Sequence, residues 1–269
     1  GADVDAQDNW KETPLHLAMY SNRNDVSGFL IEHSADINCK SKDGETPLHR
    51  SIEHKNTEAT KILITRHACI HSKDNFGDTP LHLACLNNNS KVARLLIDLK
   101  ANVNEQNNDG TTPLHLAVLN GKYKIVVKLA ENGADLSLKY RESNPPLHIA
   151  CLKHYPGVAL LLIDLKADVN EQNNDGATPL HLAVLENEIE IVEKLVENGA
   201  DLSLLNKDHK TALDLAADQK NRKEISEYLA QKNERERRRS RSSRRRIRRR
   251  RMRNYSINYI PLRMEHHNW

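Results

Sequence analysis

Aromatic residues are scarce in this sequence of 269 residues, and long apolar runs are absent. Phe, Trp and Tyr together make up 4% of the chain, so a hydrophobic core has to be built from aliphatic side chains. No run approaches the ~18 consecutive apolar residues of a membrane-spanning helix. The start, Gly1–Asp5, is acidic and polar, unlike the basic and then apolar pattern of a secretory signal. These absences predict an intracellular protein of the cytoplasm or nucleus with no membrane span. Because position 1 is not Met, we also expect a fragment or a processed form.

Cysteine is rare as well, and the motifs of common enzyme classes are missing. The four cysteines have no C-x-x-C spacing, so we expect reduced, buried thiols rather than disulfides or a zinc site. The sequence contains no G-x-x-x-x-G-K-[ST], G-x-G-x-x-G, G-x-S-x-G or H-E-x-x-H. It therefore predicts a protein that is not an enzyme, with no metal, no cofactor and no small-molecule substrate. The cysteines are Cys39, Cys69, Cys85 and Cys151.

The small net charge of +3 combines two opposite parts of the chain. Residues 233–269 contain 14 Arg, no Lys and 3 Glu, a net charge of +11. Residues 1–232 hold 26 basic and 34 acidic side chains, a net charge of −8. An acidic body with a basic tail results, and the two parts need separate explanations.

The body is organised by an internal repeat. The tetrapeptide T-P-L-H recurs at a constant interval of 33 residues, as from Thr46 to Thr79. A second marker of the type G-A-D recurs at the same interval. The slot between the last two copies holds Pro145-Pro146-Leu147-His148, and Thr211 begins a degenerate seventh copy. A fixed period of this length is typical of solenoid proteins. The T-P-L-H copies begin at Thr13, Thr46, Thr79, Thr112 and Thr178.

Each unit has the signals of a turn followed by two helices. In the third unit, residues 74–78 form a turn in which Gly77 suits a positive φ. Thr79 is a helix N-cap, and Pro80 follows at the first helical position, where a missing N–H costs nothing. A short helix over 81–86 precedes a second helix with one apolar stripe. A single helix pair cannot bury this stripe, so each unit must stack on its neighbours. The predicted stripe consists of Val92, Leu95, Leu96 and Leu99.

The pattern D-x-x-G-x-T-P-L-H-x-A, followed by a second helix and G-A-D-x-N, is most complete in residues 107–170. It resembles the ankyrin-repeat family, over residues 1–232. The resemblance implies an all-α solenoid of helix pairs with β-turn tips and a concave recognition face. It also implies that the histidines of T-P-L-H bridge adjacent turns by hydrogen bonds. Seven repeats would begin near residues 8, 41, 74, 107, 140, 173 and 206, preceded by a truncated one. Residues 233–269 lie outside the resemblance and are predicted to be disordered, with the last helix extending as far as Arg239.

Two features distinguish individual repeats. Residues 81–138 and 147–204 are identical at 42 of 58 positions, which indicates a copied block of two repeats. The differences cluster in the segments between helices, at 87–91 and 120–124 and at their equivalents 153–157 and 186–190. In the fifth repeat, Ser143 replaces the turn Gly and Pro145 replaces the capping Thr. We predict that this repeat is the most deformable one.

The positions that vary between repeats predict a surface for a protein partner. Trp10 and Phe76 occupy the tip of the turn, where other repeats have acids. We predict that these aromatics anchor a basic and apolar surface. The alternatives are that Trp10 packs on a missing repeat and that Phe76 folds over a neighbouring turn. The predicted binding residues are Trp10, Glu12, Asp43, Glu45, Phe76, Asp78, Asp109, Glu142 and Asp175.

Asparagines of the loops between repeats resemble those that the oxygen-sensing asparaginyl hydroxylase modifies in ankyrin repeats. Asn104 and Asn170 are the predicted modification sites, and Asn38 has a similar setting. The alternative is that these asparagines serve turn geometry only.

The arginine-rich tail supports several hypotheses. Its basic clusters suit a nuclear-import signal and an import receptor, and phosphate contacts would suit nucleic acid. The tail could instead lie along the acidic concave face, with release by phosphorylation at Ser240, Ser242 or Ser243. A mis-assigned end of the coding frame is a further alternative. The clusters are Arg237, Arg238, Arg239, Arg244, Arg245, Arg246, Arg248, Arg249, Arg250 and Arg251.

Together these observations predict a non-catalytic scaffold that binds a protein through its turn tips and concave face. The alternatives are a nucleic-acid-associated factor that uses the tail, and a piece of a larger ankyrin-containing channel, toxin or enzyme.

Overall fold

The computed structural model describes residues 3–21, 23–140, 144–218 and 222–257. Within these ranges the chain forms seven pairs of helices. The first helices of the pairs are α1 (Pro14–Tyr20), α3 (Pro47–Glu53), α5 (Pro80–Leu86), α7 (Pro113–Leu119), α9 (Pro146–Leu152), α11 (Pro179–Leu185) and α13 (Ala212–Ala217). The second helices are α2 (Asn24–Glu32), α4 (Thr57–Thr65), α6 (Ser90–Asp98), α8 (Tyr123–Glu131), α10 (Pro156–Asp164), α12 (Ile189–Glu197) and α14 (Lys223–Ile257).

The first helices begin where the sequence predicts, and in five of the seven Thr and Pro together define the N-terminus. At α5, Thr79 is the N-cap in an extended conformation and Pro80 is the first helical residue. The Thr79 N–H donates to His82 Nδ1 at 3.2 Å, and Thr79 Oγ1 lies 2.8 Å from the same nitrogen. A side chain of the first turn thus pairs with the backbone of the cap, as in a capping box.

Helix α6 buries a face that is rotated from the predicted stripe and broader than it, and Leu95 of that stripe is half-buried. On α6, Val92, Ala93, Leu96 and Ile97 are buried. The prediction for Leu99 was wrong, because α6 ends at Asp98 and the Leu99 side chain is 44% exposed. The buried residues form two adjacent rows along the helix, because α6 packs both on its own partner helix and on the next repeat.

The helix pairs stack into two layers with one continuous core. Each first helix contacts the first helices of its neighbours, and each second helix contacts the neighbouring second helices. Buried aliphatic side chains run through all seven pairs, from Leu15 to Leu229. The all-α solenoid is therefore confirmed. The side of the first helices that faces away from the second helices is called the inner face below. The ankyrin resemblance predicts that this side is concave.

Helix α14 runs further than expected. Its first turns close the stack with Ile225 and Leu229, each 1% exposed, and its packing contacts are chiefly with α12 and α13. The helix then continues beyond Arg239 to Ile257. Arginine is a good helix former, and this segment contains no Pro or Gly to end the helix. It has no core, as expected, since even Ile247 is 57% exposed.

The junction of the fourth and fifth repeats departs from the regular pattern. Elsewhere the repeat histidine reaches a carbonyl 29 residues ahead, but His115 Nε2 lies 2.7 Å from Leu138 O, 23 residues ahead. Tyr140 and Asn144 pair as an isolated antiparallel bridge. Residues 141–143, which include Ser143, lie outside the described part of the chain. The deformability of this repeat stays a prediction.

Candidate interaction surface

The turn tips of most repeats are built by a side-chain oxygen at the start of the turn, which is a carboxylate or amide in five repeats and the Ser41 hydroxyl in the second. In the third repeat, Asp74 Oδ1 accepts hydrogen bonds from the N–H groups of Phe76 at 2.9 Å and Asp78 at 2.8 Å. Gly77 completes the turn with a φ of +79°. A Cβ atom at Gly77 would lie 2.6 Å from Asn108 Oδ1, so both the positive φ and the close approach of the next turn require glycine.

Consecutive tips are joined by backbone hydrogen bonds, called the tip ladder below. Lys42 N donates to Trp10 O at 2.8 Å, and Asn108 N donates to Phe76 O at 2.9 Å. Because the tip residue is held through its main-chain N–H and carbonyl groups, its side chain is left to project outward. Trp10 is 61% exposed and Phe76 is 70% exposed. An exposure of this size is inconsistent with the alternative that Phe76 folds over a neighbouring turn. Lys42 Nζ lies 5.4 Å from the centre of the Trp10 ring, a cation–π distance.

The acids predicted at the tips are exposed where the structure describes them. Asp43, Asp109 and Asp175 are on the surface. Asp175 Oδ1 lies 3.6 Å from Lys207 Nζ, an exposed pair. Glu142 lies outside the described residues. The exposed carboxylates beside Trp10 and Phe76 give this edge of the stack a negative character.

Three carboxylates converge on Arg50, where the turns meet the inner face. The Arg50 guanidinium lies 2.6 Å from Glu12 Oε1, 2.9 Å from Glu45 Oε2 and 3.2 Å from Glu53 Oε2. Burial raises the pKa of Glu45 to about 7, although the charge of Arg50 acts in the opposite direction. The cluster carries two more negative than positive groups when all are ionised. Glu12 and Glu45, predicted as binding residues, are thus held by Arg50.

Asp78 occupies in the third repeat the position that Glu12 and Glu45 occupy in the first two, and its carboxylate also binds another residue of the protein. Its Oδ1 accepts a hydrogen bond from Asn107 Nδ2 at 2.8 Å. Burial raises the pKa of the Asp78 carboxyl, and the bond from Asn107 acts against that rise. Asp78 thereby ties one turn to the next.

The inner face also carries a row of apolar side chains that sequence reasoning missed. The row uses the last residue of five of the first helices, so its members are equivalent positions of their repeats. Its exposure is 65% at Tyr20, 46% at Leu86 and 39% at Leu185, with half-buried members between the last two. The signal was present in the sequence as a leucine that recurs five residues after the T-P-L-H leucine. The members, called the inner row below, are Tyr20, Leu86, Leu119, Leu152 and Leu185.

The inner row and the turn tips belong to neighbouring parts of one surface. Arg50 is on α3 and its partners Glu12 and Glu45 lie in the turns, so side chains of the helices and turns meet directly. The Tyr20 ring packs edge-on against the His54 ring, with the centroids 4.6 Å apart. The row therefore has an acidic cluster and an aromatic residue at its N-terminal end.

The repeat histidines are structural, as the resemblance implied. His82 Nδ1 accepts from the Thr79 N–H, and so His82 Nε2 donates to the Thr111 carbonyl at 3.0 Å. Burial lowers the pKa of His115 and His148 to about 4, which keeps the rings neutral. Neutral rings with both nitrogens facing the protein do not bind a metal ion.

The asparagines predicted as modification sites bridge neighbouring repeats. Asn104 Oδ1 accepts from the Asp135 N–H at 2.8 Å, and Asn104 Nδ2 donates to the Gly133 carbonyl at 2.9 Å. Asn170 makes the equivalent two bonds at 2.7 and 3.0 Å. Asn38 Oδ1 accepts a single bond of 2.8 Å from the next repeat. These contacts explain the asparagines by turn geometry, and hydroxylation stays a prediction.

The thiols differ in exposure. Cys85 and Cys151 are buried, but Cys39 is half-buried and Cys69 is exposed, so the expectation of four buried thiols was wrong. Cys69 lies in a turn between repeats, where the period alone does not decide burial. All four are free. The described ranges hold no cluster of His, Cys, Asp and Glu suited to a metal ion, and none of their helices is long and apolar enough to span a membrane.

The arginine clusters lie on α14. Arg237, Arg238 and Arg239 are exposed, and Arg238 pairs with Glu234 one turn earlier. Ser242 is exposed as well. Side chains outside the described part of the chain include those of Ser240, Ser243, Arg244, Arg245, Arg246, Arg248, Arg249, Arg250 and Arg251.

Comparisons with known proteins agree with this geometry. A family profile described as ankyrin repeats, in three copies, matches residues 1–74, 56–140 and 141–239. The crystal structure of the human ASB11 ankyrin repeat domain superimposes with a TM-score of 0.70 and 25% sequence identity, over 82% of this chain and 98% of that one. The ankyrin repeat domain of Bcl-3, described as a unique member of the IkappaB protein family, superimposes with a TM-score of 0.67 and 29% identity, over 76% of this chain and 93% of that one. A search of curated protein sequences found no significant match. Since the profile matches extend over most of its length, the chain belongs to the ankyrin-repeat family.

Proposed function

We propose that this chain is a non-catalytic scaffold that holds a protein partner against its inner face and turn tips. Ankyrin repeats generally mediate protein–protein interaction. The observation that carries the proposal is the inner row, which presents apolar side chains at one position of five of the seven repeats, on the same surface as the exposed Trp10 and Phe76. Aromatic and aliphatic side chains presented on rigid elements are what a binding surface requires, because they lose little conformational entropy on binding.

The charges of this surface favour a partner that is apolar and basic. The inner row ends at the Arg50 cluster, which keeps an excess of carboxylates. The tips add exposed acids such as Asp43, and residues 1–232 carry a net charge of −8. Complementary charges steer association and set orientation. Lys or Arg side chains of the partner would therefore face the turns while its apolar residues cover the leucines.

The test compares two variants of the full chain in proximity labelling. Trp10→Ala with Phe76→Ala removes the tip aromatics, and Phe29→Ala is the control, because Phe29 is a 58% exposed aromatic on α2 at the opposite layer. We expect partners of the wild type to be lost, or bound at least about ten-fold more weakly, only in the first variant, since two anchors contribute over about 1 kcal/mol each. Melting temperatures should match. Equal losses in both variants, or a large drop in melting temperature, would refute the role of the tips.

For the tail we propose nuclear import, within an intracellular protein that resides in the cytoplasm and nucleus. Its support is the exposed cluster of Arg237, Arg238 and Arg239 on α14. A fluorescent fusion of the full chain should lose nuclear accumulation when these three arginines become Gln. Nucleic-acid binding is the competing outcome, and it would appear as an affinity for single-stranded RNA that falls steeply with salt and with the same substitutions.

A further inference from the structure

The outer layer contains an open groove between α6 and α8, called the outer groove below, with a volume of about 450 Å³. Its floor is apolar, since Ala93 and Ile125 are buried at 1 and 2% exposure and Val127 is half-exposed between them. Tyr123 lies at the first turn of α8 and is 49% exposed. The floor can therefore accept an apolar side chain from outside.

The rims of the outer groove are positively charged. Lys91 and Arg94 line it from α6, and Lys124 and Lys128 line it from α8. Lys128 Nζ is held by Asp98 Oδ1 at 2.8 Å. Within the described part of the chain, the other three cations form no ion pair with a carboxylate. Glu131 of α8 also lines the groove, and the charge of Arg94 acts on Asp98. Four cations thus face two carboxylates around an apolar floor, on a body whose net charge is negative.

The copied block of two repeats supplies a comparison inside the same molecule. The groove between α10 and α12 is the equivalent of the outer groove in the second copy of the block. There Gly157, Leu160 and Glu190 replace the three unpaired cations, whereas Lys194 keeps the paired one and contacts Asp164 at 2.7 Å. Helices α6 and α8 carry four basic and two acidic residues, against one basic and four acidic on α10 and α12.

The comparison distinguishes the charged residues that the stacking of repeats requires from those that it does not require. The ion pair made by Lys128 recurs in both grooves, so it is part of the repeat architecture. The three unpaired cations do not recur although most of the surrounding sequence is identical, and packing therefore does not explain them. Unpaired like charges placed together on a surface repel one another, which makes a ligand of opposite charge the natural occupant.

We infer that the outer groove binds an acidic segment of a protein partner, with carboxylates on the Lys and Arg rims and an apolar side chain on the floor. The apolar floor favours a peptide over nucleic acid, which would bring phosphates but no aliphatic group. The net negative body also opposes a long polyanion. This site lies on the layer opposite the inner face, so it is independent of the function proposed above.

The test uses fluorescence anisotropy with the full chain and a labelled synthetic peptide of glutamate and leucine. The groove variant, Arg94→Leu with Lys124→Glu, introduces the residues that the equivalent groove already accommodates. The control variant, Lys61→Glu with Arg66→Leu on and beside α4, changes the net charge by the same amount outside the groove. The arginine-rich helix is present in all of them, so its own attraction for the peptide cancels in the comparison.

We expect the groove variant to bind the peptide about ten-fold more weakly, equivalent to about 1.4 kcal/mol, because two exposed charge contacts are lost or reversed. The control variant should stay within about two-fold of the wild type. The reciprocal change, Leu160→Arg with Glu190→Lys, should raise affinity. A peptide with glutamine in place of glutamate should bind weakly to all of them. If the groove variant melts at a lower temperature, the milder Arg94→Gln with Lys124→Gln provides the same comparison.

Two results would overturn the inference. Equal weakening of the groove and control variants would assign the binding to overall charge or to α14. A loss of affinity for single-stranded RNA or phosphatidylserine vesicles, with peptide binding unchanged, would assign the groove to a different ligand class.

Discussion

Replacing Pro145 by Thr should stabilise the fifth repeat. In the other T-P-L-H repeats the capping Thr offers its N–H and hydroxyl to Nδ1 of the histidine, at about 3.2 and 2.8 Å in the third repeat. Pro145 has neither group. His148 is fully buried, and its Nδ1 consequently has no hydrogen-bond partner, although Nε2 still reaches the Ala177 carbonyl at 3.1 Å.

The magnitude follows from three contributions. An unsatisfied buried nitrogen costs about 1–3 kcal/mol, which the new hydroxyl and N–H would recover. The unfolded chain gains about 0.4–1 kcal/mol of conformational freedom when proline is removed, which opposes the gain. The backbone needs little change, because Pro145 has a φ of −62° and Thr211 a φ of −79° at the equivalent position, both with ψ near 165°. The expected net stabilisation is about 0.5–2 kcal/mol.

Urea denaturation of the full chain measures this gain, and hydrogen exchange assigns it to a repeat. Protection should rise in α9 and leave α1 unchanged. Thr178→Pro in the sixth repeat is the matched reverse variant and should lower the midpoint by a similar amount. If Pro145→Thr changes neither the midpoint nor the protection of α9 while Thr178→Pro is destabilising, the reasoning about His148 Nδ1 is wrong.

Two further predictions concern stability. The folded-state pKa of His115 and His148 is lowered to about 4, below the unfolded value near 6.5, so the unfolded chain binds protons first as the pH falls. Their contribution is present above pH 6.5 and is lost between pH 6.5 and 4, on the order of 3 kcal/mol each, and urea midpoints that stay constant across this range would contradict it. Gly77→Ala should cost more than Gly133→Ala, by about 1–3 kcal/mol, because only the first places a Cβ atom against the next turn while both have a positive φ. Equal losses in urea midpoint would show that the contact between turns contributes nothing.

The sequence predicted those parts of the fold that depend on local chemistry repeated at a fixed interval. Thr and Pro at the start of five of the seven first helices predicted their N-termini, and Thr79 with Pro80 confirms the rule. The period did not predict the exposure of Leu99 or Cys69, because both lie where a helix or turn ends and burial there depends on the neighbouring repeat. The length of α14 was underestimated, since the argument from charge repulsion ignored the intrinsic helix propensity of arginine.

Prediction of the candidate surface was more limited for a physical reason. Exposed aromatics such as Trp10 and Phe76 were identified because they break the pattern of acids at the tips. The inner row was missed because Leu86 and its equivalents are apolar in five of the seven repeats, and an apolar residue at helical spacing is normally assigned to the core. Only the three-dimensional stack shows that this position lies at the edge of the layer.

The tip ladder makes the turns interchangeable. The tip residues themselves join the next turn through their main-chain carbonyls, as Trp10 does with Lys42 and Phe76 with Asn108. A tip side chain can thus be exchanged for almost any other without disturbing the stack, whereas Gly77 cannot, because a Cβ atom there would meet the next turn. Recognition in this protein can therefore evolve one turn at a time, with each substitution altering what is bound and leaving unchanged what holds the repeats together.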